Sequence, residues 1–154
     1  MNGTRYKSGQ RGIAAVELAI VLPVLLLMML AIAELGRAIV QYNELTKASR
    51  DAARYLASYA IAGTTDVIQL NEELVTKTQQ LLVYGRPGAS STAILPGLVT
   101  DDVDVEAIDS THVRVAVEYE YQPMLGTETM PMFGIGSDID IAIPLRASVV
   151  MRAL

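Results

Sequence analysis

The chain has 154 residues, which is enough for about one domain. It contains no cysteine and one histidine, so a disulfide framework, thiol chemistry and a multi-histidine metal site are excluded within one chain. The net charge of −5 argues against nucleic acid as the main partner. Although 51% of the residues are hydrophobic, only 5% are aromatic, and the apolar excess is concentrated near the amino terminus.

The first 33 residues have the charge pattern of a membrane-crossing segment. Residues 1–12 contain three basic and no acidic side chains, and residues 13–33 are apolar except for Glu17. A helix over that run reaches about 31 Å, which is enough to cross a hydrocarbon core of ~30 Å. The basic flank predicts a cytoplasmic amino terminus. Because residues 1–12 hold three of the 12 basic residues and none of the 17 acidic ones, the remainder carries −8 and is expected across the membrane.

Three interpretations of this run are open. It is a plain single-pass anchor for a small binding domain, or a secretory signal cut after Ala33, where Ala31-Ile32-Ala33 forms a small-x-small site. The third interpretation is a prepilin-like leader that is cut after Gly12 on the cytoplasmic side.

Glu17 favours the third interpretation. A carboxylate within an apolar helix costs about 2.5 kcal/mol or more and marks a functional site by default. It stands five residues after Gly12, and only apolar residues lie between them. Cleavage after Gly12 would give Ile13 a free ammonium group, which the Glu17 carboxylate of a neighbouring subunit can neutralise in a medium of low dielectric constant.

Five segments together have a recognisable pattern that covers residues 11–60 and, less fully, the tail. They are Arg11-Gly12-Ile13-Ala14-Ala15-Val16-Glu17-Leu18-Ala19, Leu22-Pro23-Val24-Leu25-Leu26, Glu34-Leu35-Gly36-Arg37, Ala48-Ser49-Arg50-Asp51-Ala52-Ala53-Arg54-Tyr55 and Ala147-Ser148-Val149-Val150-Met151-Arg152. This pattern resembles the TadE-like family, the pseudopilin-type proteins of the tight-adherence (Tad, or Flp) pilus system. TadF-like proteins share the amino-terminal features, so that relative stays open.

The resemblance implies cleavage after Gly12 by a prepilin peptidase and a role as a minor subunit or assembly factor. It implies as partners the peptidase, the major Flp pilin, other pseudopilins, the inner-membrane assembly platform and membrane lipid. The implied location is the bacterial inner membrane, with the carboxy-terminal domain in the periplasm or incorporated into the extracellular pilus. No cofactor is implied.

The helical pattern continues beyond the apolar run. Apolar and small residues recur every three to four positions, so a helix is expected from about Ile13 to Ala62, with Gly63 as its terminator. Pro23 is expected to kink it, either as a flexible point for extraction from the membrane or as a proline that membrane helices tolerate. Arg50 and Arg54, with Asp51 nearby, form either a solvated, salt-bridged face or a contact with a second pseudopilin.

The remainder predicts a small α+β domain. The expected divisions are a leader over 1–12, a transmembrane helix over 13–33, its exported continuation over 34–63 and the domain over 64–154. Thr64-Thr65-Asp66 is read as the start of a second helix that runs to Tyr84 and stops at Gly85. Alternating residues then predict three antiparallel strands, over about 103–107, 113–121 and 138–151, with a break at Pro144 and a long connection over 122–137.

No catalytic set is recognised, so an enzyme is not expected, and the chain has no phosphate-binding P-loop. The acidic side chains of the first strand region are expected to form a solvated face, with calcium binding as the alternative: Asp101, Asp102, Asp104, Glu106 and Asp109. Asp138 and Asp140 are interpreted in the same way, and His112 as a surface residue. Met132 and Phe133 in the long connection either fill the core or contact a partner.

Overall fold

The computed structural model describes residues 10–61, 67–88, 92–124, 129–130, 139–140 and 143–154. The chain divides into two compact units, Met1–Gly36 and Arg37–Leu154. The predicted α+β class is confirmed, with a long apolar amino-terminal helix, a second helix and a three-stranded antiparallel sheet.

Helix α1 spans Gln10–Tyr59. Its apolar part (residues 13–33) is long and hydrophobic enough to cross a membrane: the most apolar 18-residue window has a mean hydropathy of 2.7, and none of it is buried within the structure. The helix assignment continues through Pro23.

The distal part of α1 (residues 37–59) has a buried face and an exposed face. Small and branched residues at three- and four-residue spacing form the buried face, in which Leu45, Ala52, Ala53 and Leu56 are fully enclosed. Ser49 also lies on this face. Its buried hydroxyl donates a hydrogen bond to the Leu45 carbonyl, one turn earlier in the same helix, at 2.8 Å.

The predicted end of α1 at Ala62 is wrong, because the helix ends at Tyr59. Beyond it the chain pairs with a later extended segment: the Ala60 carbonyl accepts a hydrogen bond from the Gln69 amide at 2.8 Å, and Ile61 forms an isolated bridge with Ile68. The predicted terminator, Gly63, lies outside the described residues.

Helix α2 spans Glu72–Tyr84, so the predicted start at Thr64-Thr65-Asp66 is also wrong. Those three residues lie outside the described part of the chain. Asn71 is the actual N-cap, and its side chain accepts a hydrogen bond from the Leu74 amide at 2.7 Å. The predicted stop is confirmed: Gly85 is left-handed, with φ of 72°, and its amide donates to the Leu81 carbonyl.

The sheet follows a short 3-10 turn at Thr100–Asp102. Its strands are β1 (Val103–Ala107), β2 (His112–Glu120) and, after β3 (Thr129–Met130) and β4 (Ile139–Asp140), β5 (Pro144–Arg152). The order is β1-β2-β5 and both pairings are antiparallel, with Val115 of β2 opposite Val105 of β1 and Val149 of β5. The predicted hairpin of the first two strands is confirmed.

Two strand predictions need correction. The connection over 122–137 contains β3, which pairs with β4 as a separate two-stranded sheet. The strand predicted over 138–151 comprises β4 and β5 rather than one strand with a break, and Pro144 is the first residue of β5. Proline suits that place, because the first residue of an edge strand can dispense with a ladder hydrogen bond.

One hydrophobic core joins the inner face of the sheet to both helices. Val113, Val115, Val117 and Tyr119 of β2 cluster with the buried residues of distal α1 and with Leu82 and Val83 of α2. Full burial of a valine side chain contributes about 1.5–3 kcal/mol to the free energy of unfolding, so the buried side chains of β2 are a main source of stability. The Tyr119 hydroxyl donates to the Pro96 carbonyl at 2.8 Å, and burial raises the pKa of Tyr119.

Candidate processing site and charged surfaces

Gly12 and Ile13 are helical and lie near the amino-terminal end of the described part of α1. Both are exposed, Ile13 with 71% of its surface accessible, and a Cβ added at Gly12 would meet no atom within 4 Å. Glycine disfavours a helix by about 1 kcal/mol relative to alanine, so Gly12 lowers the cost of local unwinding at the Gly12–Ile13 bond.

Glu17 lies one turn beyond Ile13 on the same side of α1, about 6 Å further along the axis. It is exposed and makes no hydrogen bond or ion pair with the part of the chain that the structure describes. The carboxylate is therefore available to a group from another molecule. Ile13 and Glu17 lie on one side of α1, one turn apart, and Gly12 immediately precedes Ile13.

Pro23 lies about two turns beyond Val16, within the uninterrupted helix. Because proline has no amide hydrogen, the Ala19 carbonyl lacks its usual helical donor. The kink expected at this position stays a prediction.

Arg50 and Arg54 are exposed on the side of distal α1 opposite its buried face, together with Lys47. The salt-bridged face expected from the i,i+3 and i,i+4 spacing is not found. Among the described residues, no ion pair involves Lys47, Arg50, Asp51 or Arg54. The helical ion pair that does form lies in α2, where Lys77 contacts Glu73 at 2.5 Å, which lowers the pKa of Glu73 and raises that of Lys77.

The acidic run predicted to form one wet face is divided among three environments. Asp101 and Asp102 lie in the 3-10 turn, where Asp102 accepts a hydrogen bond from the Val99 amide at 3.0 Å. Asp104 and Glu106 lie on the outer face of β1, and both contact the Arg114 guanidinium of β2, at 3.7 and 2.6 Å. The cross-strand pairing neutralises part of this charge.

Asp109 closes the turn between β1 and β2. Its carboxylate accepts hydrogen bonds from the Thr111 amide and hydroxyl, at 2.7 and 2.9 Å, and from the His112 amide at 2.7 Å. These hydrogen bonds, those of Thr111 first, lower the pKa of Asp109 to about 2. His112 lies partly exposed at the start of β2, with Nδ1 3.0 Å from an Asp109 oxygen, so both residues have a structural role in the turn.

The outer face of the sheet contains a depression of about 440 Å³ that sequence reasoning missed. Three carboxylates line it, those of Asp102, Glu118 and Glu120, beside Gly97 and Pro144. Arg146 of β5 pairs with Glu118 at 2.6 Å, and this hydrogen bond raises the pKa of Arg146. Glu120 makes no ion pair within the described residues. The alternation in β2 indicated the outward glutamates, but nothing in the sequence placed the 3-10 turn beside them.

The described residues contain no group of three or more histidine, cysteine, aspartate or glutamate side chains placed to hold a metal ion. Met132, Phe133 and Asp138 lie outside the described residues, and of Asp140 only the backbone, in β4, is described. Whether Met132 and Phe133 fill the core or contact a partner stays open.

The unburied apolar part of α1 precedes a small α+β unit, and its length and composition suggest membrane anchoring. The comparison with known families is more specific: the family model described as TadE-like protein matches residues 12–54. The match begins at Gly12, ends at Arg54 and confirms the predicted resemblance over those residues. No curated protein and no solved structure matches the chain.

Proposed function

We propose that the chain is a TadE-like minor pseudopilin that acts in the assembly or initiation of an adhesive tight-adherence (Flp type IVb) pilus. One observation carries this proposal: the family match begins at Gly12, and a lone carboxylate, Glu17, stands five residues further on in an apolar helix. A single-pass anchor requires neither the glycine nor the acid.

In this role the precursor inserts into the bacterial inner membrane with its amino terminus in the cytoplasm. A prepilin peptidase cleaves the Gly12–Ile13 bond. The exposed position of Gly12 and Ile13 supports that step, because little side-chain packing has to be broken before a peptidase can bind an unwound strand.

Cleavage leaves an ammonium group on Ile13, and Glu17 is its proposed acceptor in a neighbouring subunit. The unpaired state of Glu17 supports an intermolecular contact, because an isolated charge in hydrocarbon is costly and a paired one is less so. The pair sets the axial register of α1 beside the helix of the major Flp pilin or of another pseudopilin.

The domain beyond α1 then lies in the periplasm as a binding platform, at the base of the pilus or within the fibre. Its proposed partners are other pseudopilins, the major pilin and the inner-membrane assembly platform. The chain binds and positions these partners and catalyses no reaction.

Glu17 provides a direct test in a cell whose tight-adherence system depends on this chain. Glu17→Ala is expected to give a protein that is processed normally but fails to support pili, while Glu17→Asp, which keeps the charge, retains partial assembly. Glu72→Ala is the control, because Glu72 is an exposed acid in the first turn of α2 and forms no ion pair within the described residues. Normal pilus numbers with Glu17→Ala would contradict the registration step.

A further inference from the structure

The second unit of the chain carries opposite charges on opposite faces. On distal α1, Lys47, Arg50 and Arg54 follow one another at i, i+3 and i+7 and form a column on one side of the helix, here called the basic stripe. All three side chains are exposed, and none forms an ion pair within the described residues. Glu44 and Asp51 flank the stripe on one side only.

The acidic depression lies on the other face. Its glutamates, Glu118 and Glu120, are outward residues of β2, whereas the alternate residues of that strand pack against the buried face of distal α1. Asp102 of the 3-10 turn also lines it, and Asp101 lines a neighbouring depression that contains Arg114 and Arg146 as well. Neither Asp101 nor Glu120 forms an ion pair in the described part of the chain. The basic stripe and the acidic depression are therefore separated by the thickness of two layers.

We propose that the basic stripe is the docking surface for the acidic depression of a second copy of this chain. The unpaired guanidinium groups of the basic stripe match the carboxylates of Asp101 and Glu120, which form no ion pair, and such complementarity steers association and fixes orientation. Because the two surfaces are different, the contact is heterologous, so copies join head to tail and not as a two-fold dimer. The inference deepens the proposed function, on which it rests for the assembly in which the copies stack.

Charge exchange tests the contact with the full-length protein in detergent micelles. Sedimentation is compared at low salt, with a Debye length of about 30 Å, and at high salt, with one of about 3 Å. We expect the chain to self-associate at low salt, and we expect this association to weaken at high salt. Reversal of the stripe with Arg50→Glu and Arg54→Glu is expected to weaken it about tenfold, and reversal of the depression with Asp101→Lys and Glu120→Lys by a similar factor.

Two further samples identify the cause. The chain that carries all four reversals has both charges exchanged and is expected to associate again. The control for the stripe variant, Arg86→Glu with Arg152→Glu, lowers the net charge by the same four units, as two Arg→Glu changes must, at exposed positions outside both surfaces and is expected to associate as the unaltered chain does. Undiminished association of either reversed variant, or none in the fourfold variant, would overturn the proposal. Loss of binding to anionic vesicles in the Arg50 and Arg54 variant, without any self-association of the unaltered chain, would overturn it in favour of a lipid contact.

Cysteine cross-linking distinguishes a head-to-tail contact from a two-fold one, and the chain has no cysteine of its own. Ser58 lies beyond Arg54 on the exposed side of α1, and Val99 is exposed beside the 3-10 turn. Copies with Ser58→Cys are expected to cross-link to copies with Val99→Cys and not to one another. Cross-linking only between identical copies would overturn the proposal. The amino terminus is determined separately, so failure of this contact and failure of cleavage after Gly12 are distinguishable.

Discussion

The apolar and distal parts of α1 belong to one helix, but their hydrophobic side chains differ in burial: those of the apolar part are exposed, and those on one face of the distal part are buried. In the apolar part, large residues such as Ile13 and Ile32 keep about two thirds or more of their surface accessible, at 71% and 68%. In the distal part, Leu45 and Leu56 have no accessible surface. The distal part therefore has its non-polar environment within the chain, whereas the apolar part has none there and has the length and composition to enter a membrane.

The largest effect that sharpens this comparison is expected in the core. Leu56→Ala removes a fully enclosed side chain and leaves a cavity, so it is expected to reduce the free energy of unfolding by about 2–5 kcal/mol. Ile20→Ala is the matched change in the apolar part, where the side chain is 68% exposed, and is expected to leave domain stability unaltered. Denaturant unfolding of the full chain in detergent measures both. Equal decreases in the free energy of unfolding of the two variants would contradict the distinction between the two parts.

A smaller effect is expected at the start of α2. Asn71→Ala removes the side-chain acceptor of the Leu74 amide and is expected to cost about 1 kcal/mol. Asn71→Asp, which keeps an acceptor at the helix amino terminus, is the control and retains stability. Unfolding curves of the two variants measure the difference; an unchanged Asn71→Ala midpoint would show that the cap contributes nothing.

The smallest expected effect is a change in the dependence of stability on pH, and it comes from Asp109 in the turn between β1 and β2. Because hydrogen bonds lower the pKa of Asp109 from 3.8 to about 2, its stabilising contribution is present above pH ~4 and is lost as the pH falls through about 2. Asp109→Ala is expected to flatten the dependence of stability on pH in that window. An NMR titration of the Asp109 carboxyl gives the pKa directly, and a midpoint near 3.8 would contradict the proposed hydrogen bonding.

The parts of the fold with a strong period could be predicted from the sequence. The alternation around Val113, Val115 and Val117 identified β2, because burial of one sheet face imposes a period of two. The start of α2 could not be located in this way, since Val67, Ile68 and Leu70 fit a helical period although the bridge to Ile61 holds Ile68 in an extended segment. Strands β3 and β4, of two residues each, are too short to carry any period.

The candidate processing site could be predicted from local spacing in the sequence, whereas the acidic depression could not. Ile13 and Glu17 stand at i and i+4 in one helix, so their spacing in the sequence is enough to predict that they lie on the same side of it. Asp102 and Glu120 stand 18 positions apart and line one depression only through the pairing of β1 with β2. Long-range proximity of this kind requires the register of the sheet, which local patterns do not specify.

Determination of the amino terminus of the membrane-bound protein, by intact mass and sequencing, tests the central claim most directly. The comparison is made with and without the prepilin peptidase of the pilus system. The account predicts a start at Ile13 that depends on the peptidase. A start at Glu34 would identify a discarded secretory signal, and an uncut Met1 in the presence of the peptidase would identify a plain anchor; either result would contradict the proposed pseudopilin.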